Sequence, residues 1–159
     1  MSCAWKLTGL IILGAVVLQS FAGAPAATSD AKADSSKQKF SAQPVEPSMH
    51  EFMEYVFEPP YKRLRTAMAS DPDNAGWKAI KSDSLILAEA GNLLLLRHPE
   101  DNEASWREHS VAVRDLGKEF YTAARKKDYA AAKKGYTVLL QKCNSCHDKF
   151  AGGEHQLKP

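Results

Sequence analysis

The residues with the clearest chemical potential in this chain are five consecutive ones near its C-terminus, Cys143-Asn-Ser-Cys146-His147. Two thiols three positions apart, followed directly by an imidazole, can do three kinds of chemistry. They can contribute ligands to a structural metal site, exchange electrons as a dithiol and a disulfide, or attach a haem covalently. Each possibility requires a different compartment, cysteine count and set of surrounding elements, so the rest of the sequence discriminates between them.

The N-terminus has the pattern of a secretory signal peptide. Lys6 precedes the apolar run Leu7–Leu18, and small residues follow as far as Ala27. A run of about a dozen apolar residues is short of the ~20 that a membrane-spanning helix needs, whereas a basic start, a short apolar core and a small-residue exit are typical of a cleaved signal. We therefore predict a signal peptide over residues 1–26, cleaved within 24–27. The protein is predicted to be periplasmic or otherwise exported, with no membrane attachment after cleavage.

Export and cleavage of the signal peptide determine which cysteines remain in the mature protein. Of the three in the chain, Cys3 leaves with the signal, so only Cys143 and Cys146 remain. A structural zinc site needs four ligands, and the other histidines offer no second pair at metal-binding spacing; they are His50, His98, His109 and His155. A thioredoxin-like site requires a neighbouring βαβ unit, which the sequence lacks. A disulfide is compatible with export but leaves His147 unexplained.

Covalent haem attachment accounts for all three residues of the motif. Two thiols add to the two vinyl groups of one haem, and the histidine that follows can reach the iron. On a helix, residues three and four positions apart share a face, so Cys143, Cys146 and His147 point to the same side. The sequence therefore predicts one covalent haem c, bound through the two cysteines.

The elements around the motif are predicted to be helices. Residues 27–46 are too polar in composition to fold alone, and we predict a flexible leader there. After residue 46, apolar residues recur at steps of three and four. This pattern divides into four helices within a domain of residues 47–151, followed by a tail of residues 152–159. Four amphipathic helices with short connections favour an all-α, antiparallel up-down bundle, which would put the end of the fourth helix beside the start of the first.

Several positions within these helices carry specific expectations. The predicted helix starts are Pro47–Ser48, Asp73, Asp101 or Asn102, and Asp128. Pro59 and Pro60 lack amide hydrogens and are predicted to kink or interrupt the first helix. Trp77 and Trp106 lie on apolar stripes and are predicted to pack in the core. His109 is predicted to be a hydrogen-bonded core histidine.

The charge of the chain gives no reason to expect nucleic acid or an anionic membrane as a partner. Lys and Arg number 21 and Asp and Glu 19, and one of the basic residues, Lys6, leaves with the signal. A nearly neutral surface does not concentrate polyanions. Any charged partner would have to be steered by a local patch.

The four-helix pattern closed by Cys143-Asn-Ser-Cys-His-Asp-Lys-Phe150 resembles the class II c-type cytochromes, the cytochrome c prime family, whose attachment motif also stands near the C-terminus. The resemblance covers about residues 46–150. It implies that His147 is the proximal axial ligand of the iron. Phe150 fits the aromatic position that follows the motif in the family, whereas Ala151 stands where a basic residue is expected. What faces the haem propionates is therefore left open.

The sixth coordination position of the iron determines which function the resemblance implies. In the family, a methionine there gives six-coordinate, low-spin iron suited to electron transfer, whereas a bulky residue that does not ligate leaves five-coordinate iron. Met49 and Met53 lie one helical turn apart in the first predicted helix, and His50 is a third candidate. We expect a methionine, with Met53 favoured because it lies deeper in the helix. Core packing of both methionines is the alternative.

These expectations define an exported monohaem electron carrier that is not an enzyme. Such a carrier requires a redox partner protein, which the sequence does not identify, and the resemblance allows a homodimer. The alternative function is a five-coordinate haem protein that binds nitric oxide or carbon monoxide. A haem peroxidase fits less well, because only His50 could serve as its distal acid–base group.

Overall fold

The computed structural model of the protein describes residues 41–159. The predicted signal peptide, residues 1–26, and the leader as far as residue 40 lie outside this range. Within residues 41–159 all regular secondary structure is helical and there is no strand, which confirms the all-α class. None of the helices in this part of the chain is long and apolar enough to cross a membrane.

The first helical segment contains a π-helical turn between two α-helices. Helix α1 spans Met49–Phe52, the π turn spans Met53–Phe57 and helix α2 spans Glu58–Ala67. Ser48 begins the segment as predicted, because its hydroxyl accepts a hydrogen bond from the Glu51 amide at 3.3 Å. The chain therefore stays helical from the cap to the end of α2.

The two consecutive prolines account for the π turn. Proline has no amide hydrogen, and in an α-helix its ring clashes with the carbonyl group four residues earlier. The backbone widens just before Pro59, so that the Glu58 amide bonds to the Met53 carbonyl, five residues back. Both prolines then lie in the first turn of α2, where amide hydrogens are not needed. The predicted interruption is thus a widened turn rather than a break.

Three long helices follow, each starting close to its predicted position. Helix α3 spans Asn74–Leu94, α4 spans Glu103–Lys126 and α5 spans Tyr129–Phe150. The carboxylates of Asp73 and Asp128 cap α3 and α5, accepting from the amides of Gly76 at 2.7 Å and Ala131 at 3.0 Å. Asn102 holds the N-cap position of α4 in a left-handed conformation, with φ of 61°, but its side chain makes no capping bond.

The helices bury the apolar stripes that their sequences predicted. Trp77 and Trp106 are each only 5% exposed. The larger core cluster is formed by side chains of all four helical segments, including Leu64, Ile80, Val113, Phe120, Tyr136 and Leu139. A smaller cluster, called the Cys146 cluster below, consists of Phe52, Leu94, Trp106 and Cys146, with Met49, Met53, Val56, Phe57 and Phe150 packed against it.

Helices α3 and α4 approach each other closely at two glycines. A Cβ atom added to Gly91 would lie 2.6 Å from the amide nitrogen of Arg114, and one added to Gly117 would lie 2.9 Å from the Cα atom of Ala88. The residue pairs that meet along the two helices are Leu94 with Trp106, Gly91 with Arg114, Ala88 with Gly117, and Asn74 with Lys127. Residues later in α4 therefore meet residues earlier in α3.

Candidate haem site

The motif Cys143–His147 occupies the last two turns of α5, which is regular through Phe150. Cys146 is buried within the Cys146 cluster, and Cys143 packs against the larger core cluster. Both side chains are free thiols. Because the helix is unbroken here, the two thiols and the imidazole lie on one face of α5, as the spacing predicted.

Burial raises the pKa of both thiols. For Cys143 the pKa rises to about 12, first because the thiol is desolvated and second because Cys146 is close by. Desolvation raises the pKa of Cys146 as well, against the opposing charge of Lys142. A reactive dithiol needs a thiol that ionises near neutral pH. The surroundings of these cysteines therefore disfavour thiol exchange in the haem-free chain.

Cys143 is expected to react slowly with alkylating reagents in the folded, haem-free protein. A rise in pKa from 9.0 to about 12 lowers the thiolate fraction at pH 8 roughly a thousandfold, and the thiolate is the species that reacts. Iodoacetamide labelling followed by peptide mass spectrometry measures the rate at each cysteine. The denatured chain is the control, and equal rates for Cys143 in the folded and denatured chains would show that the thiol is not buried.

The ring of His147 is oriented by the C-terminal tail. Its Nδ1 atom lies 2.9 Å from the backbone carbonyl oxygen of His155. A carbonyl oxygen can only accept, so Nδ1 carries the hydrogen and donates it, and Nε2 of the neutral ring keeps a free lone pair. Histidines that bind metals usually hold their second ring nitrogen in such a bond. His147 is thus prepared to ligate a metal through Nε2.

Both candidate methionines lie at the Cys146 cluster. Met49 and Met53 are partly buried and pack against it, one helical turn apart at the start of the first helical segment. The side chain of His50 is 74% exposed and pairs with Glu54 at 3.5 Å. The structure therefore brings the two thioethers, and not the His50 imidazole, to the residues around the attachment motif. Met53 also begins the π turn, a feature that is frequent at functional sites.

Two buried polar atoms beside this cluster have no hydrogen-bond partner among the described residues. One is Nδ1 of His109, which is 7% exposed, and the other is Nε of Arg97. The His109 ring meets Phe150 edge-on at 5.9 Å, and the Arg97 guanidinium lies 3.8 Å from the centre of the Phe52 ring. An unsatisfied buried polar atom is costly. Both atoms could therefore bind polar groups of a molecule held at the cluster.

The prediction for His109 is half right. Its burial is confirmed, but the hydrogen bond expected for a core histidine is missing at Nδ1. Desolvation lowers the pKa of His109, and the nearby positive charge of Lys142 lowers it further, whereas Glu108 acts in the opposite direction. The imidazole is therefore harder to protonate than a solvent-exposed one. His98, by contrast, is exposed in the connection between α3 and α4.

Sequence reasoning missed the residues that bring the tail to His147. Gly152 and Gly153 adopt left-handed φ angles of 62° and 81° and reverse the chain after α5. The Gly pair signalled the end of the helix, but nothing in the sequence indicated where the chain goes next. His155 has no second histidine at metal-binding spacing, and its contribution to the site is a backbone carbonyl, which every residue type offers.

Comparison of the chain with protein-family models, with curated proteins and with solved structures finds no match. Three observations on α5 and around it fit a covalently bound haem. They are a free Nε2 on an oriented histidine, a pair of thiols on the same helical face, and unpartnered polar atoms beside the apolar cluster that contains Cys146.

Proposed function

We propose that the chain is an exported monohaem c-type cytochrome that carries single electrons. Cys143 and Cys146 would hold the haem through thioethers, and His147 would be the proximal iron ligand. The observation that carries this proposal is the hydrogen bond from His147 Nδ1 to the His155 carbonyl, which leaves Nε2 free at the attachment motif. The bound haem would supply a one-electron ferric–ferrous couple.

The proposed architecture is an antiparallel up-down four-helix bundle in which the π turn and its flanking helices count as the first helix. The order of the α3–α4 contacts supports this topology. So does the Cys146 cluster, which joins the end of α5 to the start of the first helix. This arrangement would let a methionine of the first helix occupy the distal position, and we favour Met53 over Met49.

The chain's own residues would also set the environment of the haem. Phe52, Leu94 and Trp106 form an apolar wall around Cys146, and an apolar shell that excludes water raises the reduction potential of a metal centre. The unpartnered atoms of Arg97 and His109 are candidates to bind the haem propionates. Arg97 would thereby replace the basic residue that is absent at Ala151.

A five-coordinate haem protein that binds nitric oxide or carbon monoxide is the second candidate function. It is favoured by Phe52, which stands between Met49 and Met53 in the sequence and is 3% exposed in the Cys146 cluster. A bulky aromatic side chain at this place could occupy the distal side without ligating. The identity of the residue that faces the iron would therefore distinguish an electron carrier from a gas-binding protein.

Absorption spectra with and without carbon monoxide test this choice. The haem-loaded protein is expected to be low-spin and indifferent to carbon monoxide, because a thioether fills the sixth position. Met53→Leu should give a high-spin protein that binds carbon monoxide, since leucine preserves the packing volume but removes the sulfur. Met49→Leu should leave the spectrum unchanged.

Met68→Leu is the matched control, because Met68 is 4% exposed in the larger core cluster and its carbonyl accepts a hydrogen bond from Tyr129, at the opposite end of α5 from the motif. It should match the unmodified protein in both spectra. If Met49→Leu rather than Met53→Leu opens the site, the ligand is Met49. A protein that is high-spin and binds carbon monoxide before any substitution would replace the electron carrier by the gas-binding alternative.

A further inference from the structure

The C-terminal tail folds back over the attachment helix. After the reversal at Gly152 and Gly153, the Gly153 amide bonds to the His147 carbonyl at 3.1 Å. Residues 154–158, called the strap below, then run back alongside α5. The side chain of Leu157 packs against the larger core cluster. The strap is therefore part of the folded domain rather than a free end.

The strap is fastened from both sides through its backbone. From α5, the Asn144 side chain donates to the Leu157 carbonyl at 3.0 Å and accepts from the Leu157 amide at 2.7 Å. From α2, the Tyr61 hydroxyl donates to the Lys158 carbonyl at 2.9 Å and accepts from the Lys158 amide at 3.1 Å. Two consecutive residues thus have both backbone polar groups bound by side chains, which fixes the path of the segment.

This fastening fixes the carbonyl group that faces His147. His155 precedes the fastened residues by two positions and adopts a left-handed conformation with φ of 58°. Such a conformation is uncommon for residues other than glycine, although histidine is one of the types that adopt it more often. Its carbonyl oxygen then lies 2.9 Å from Nδ1 of His147. The strap, and not the helix that carries His147, supplies the partner of the ring.

We propose that the strap positions His147 for iron ligation, with Tyr61 and Asn144 as positioning residues that act through the His155 carbonyl. This inference rests on the proposed function. The strap would hold His147 as the Nδ1–H tautomer with Nε2 free, and would limit rotation of the ring. A hydrogen bond from the second ring nitrogen also makes a histidine ligand more basic. The strap would thereby favour ferric iron and lower the reduction potential.

The first test uses the full-length mature chain made without haem. Nitrogen-15 NMR of the neutral His147 ring reports which nitrogen carries the hydrogen. We expect the Nδ1–H tautomer in the unmodified chain. Tyr61→Phe, which removes one fastening but keeps the ring in place, and a chain ending at Gly153 should both shift His147 towards the Nε2–H tautomer.

His155→Asn is the matched control, because it keeps the backbone carbonyl and asparagine tolerates a left-handed conformation. It should retain the tautomer of the unmodified chain. An unchanged tautomer in Tyr61→Phe would overturn the proposal, and so would an unchanged tautomer in a shortened chain that folds. Since Tyr61→Phe removes a single oxygen atom, it answers the question even if the shortened chain does not fold.

The second test uses the haem-loaded protein and measures its reduction potential. Tyr61→Phe and the shortened chain should both shift the potential upward, whereas His155→Asn should not. A strap that only stabilised the fold would leave the potential unchanged in the folded variants.

The two tests together distinguish failure of the strap proposal from failure of the proposed function. If no variant carries haem but the tautomer responds as expected, the strap orients His147 and the proposed function fails. If haem binds and neither readout moves, the proposed function stands and the strap proposal fails.

Discussion

Replacing Cys143 and Cys146 together by serine is expected to abolish covalent haem binding completely. After the exchange no thiol remains to form a thioether, because the only other cysteine, Cys3, lies in the predicted signal peptide. Each single exchange should leave one thioether and a reduced yield. The measurement is the mass of the denatured, exported protein after production in a host that has a c-type haem-attachment system. The unmodified protein should carry the mass of one haem.

Cys3→Ser is the matched control for this experiment. It removes the same type of side chain but should leave the haem content unchanged, and the mature protein should have the same mass as the unmodified one because residue 3 is cleaved away. A retained Cys3 would contradict the predicted signal peptide. An unmodified protein that carries no haem, or one that loses its haem on denaturation, would contradict covalent attachment and with it both proposed functions.

The helices could be predicted because the information that specifies them is local. Apolar residues at helical spacing located all four helical segments, and Asp73 and Asp128 marked two starts through side-chain bonds to amides three residues away. The π turn before Pro59 could not be predicted in the same way. The prolines showed that regular helix was impossible there, but not whether the chain would break, kink or widen. That outcome depends on packing across the whole first segment.

In the candidate site, too, the features encoded by neighbouring residues could be predicted, whereas those that depend on contacts between distant residues could not. The motif of α5 is a local pattern and was found directly. Helix order predicts that the start of the first helix lies near the end of α5, and Met49 and Met53 pack against the Cys146 cluster there. The strap left no comparable signal, because Asn144 and Tyr61 bind backbone atoms of residues far away in the sequence, and backbone atoms are the same in every residue. For His109, periodicity predicted burial, but the absence of a partner at Nδ1 depends on its neighbours in the fold.

Gly91→Ala is expected to destabilise the fold by about 2 kcal/mol, although alanine is the better helix former. The exchange gains about 1 kcal/mol of helix propensity, whereas forcing an extra group into a packed interface costs about 1–3 kcal/mol and occasionally more. The upper part of this range applies, because the new Cβ atom would lie 2.6 Å from the Arg114 amide nitrogen and backbone cannot swing aside. Urea unfolding measures the change.

Gly135→Ala is the matched control, because Gly135 lies inside α5 and an added Cβ atom would meet Phe120 no closer than 3.3 Å. There the same gain in helix propensity is opposed only by a contact slightly tighter than an ordinary van der Waals contact, so the variant should stay close to the unmodified protein in stability. The effect of Gly91→Ala should also reach the candidate haem site. Three residues further along α3, the Leu94 carbonyl accepts a hydrogen bond from Trp106 at 2.9 Å within the Cys146 cluster. Separating α3 from α4 would strain that bond, so the haem-loaded variant should bind carbon monoxide more readily. Unchanged stability would mean that the two helices do not approach each other as closely as Gly91 and Arg114 indicate.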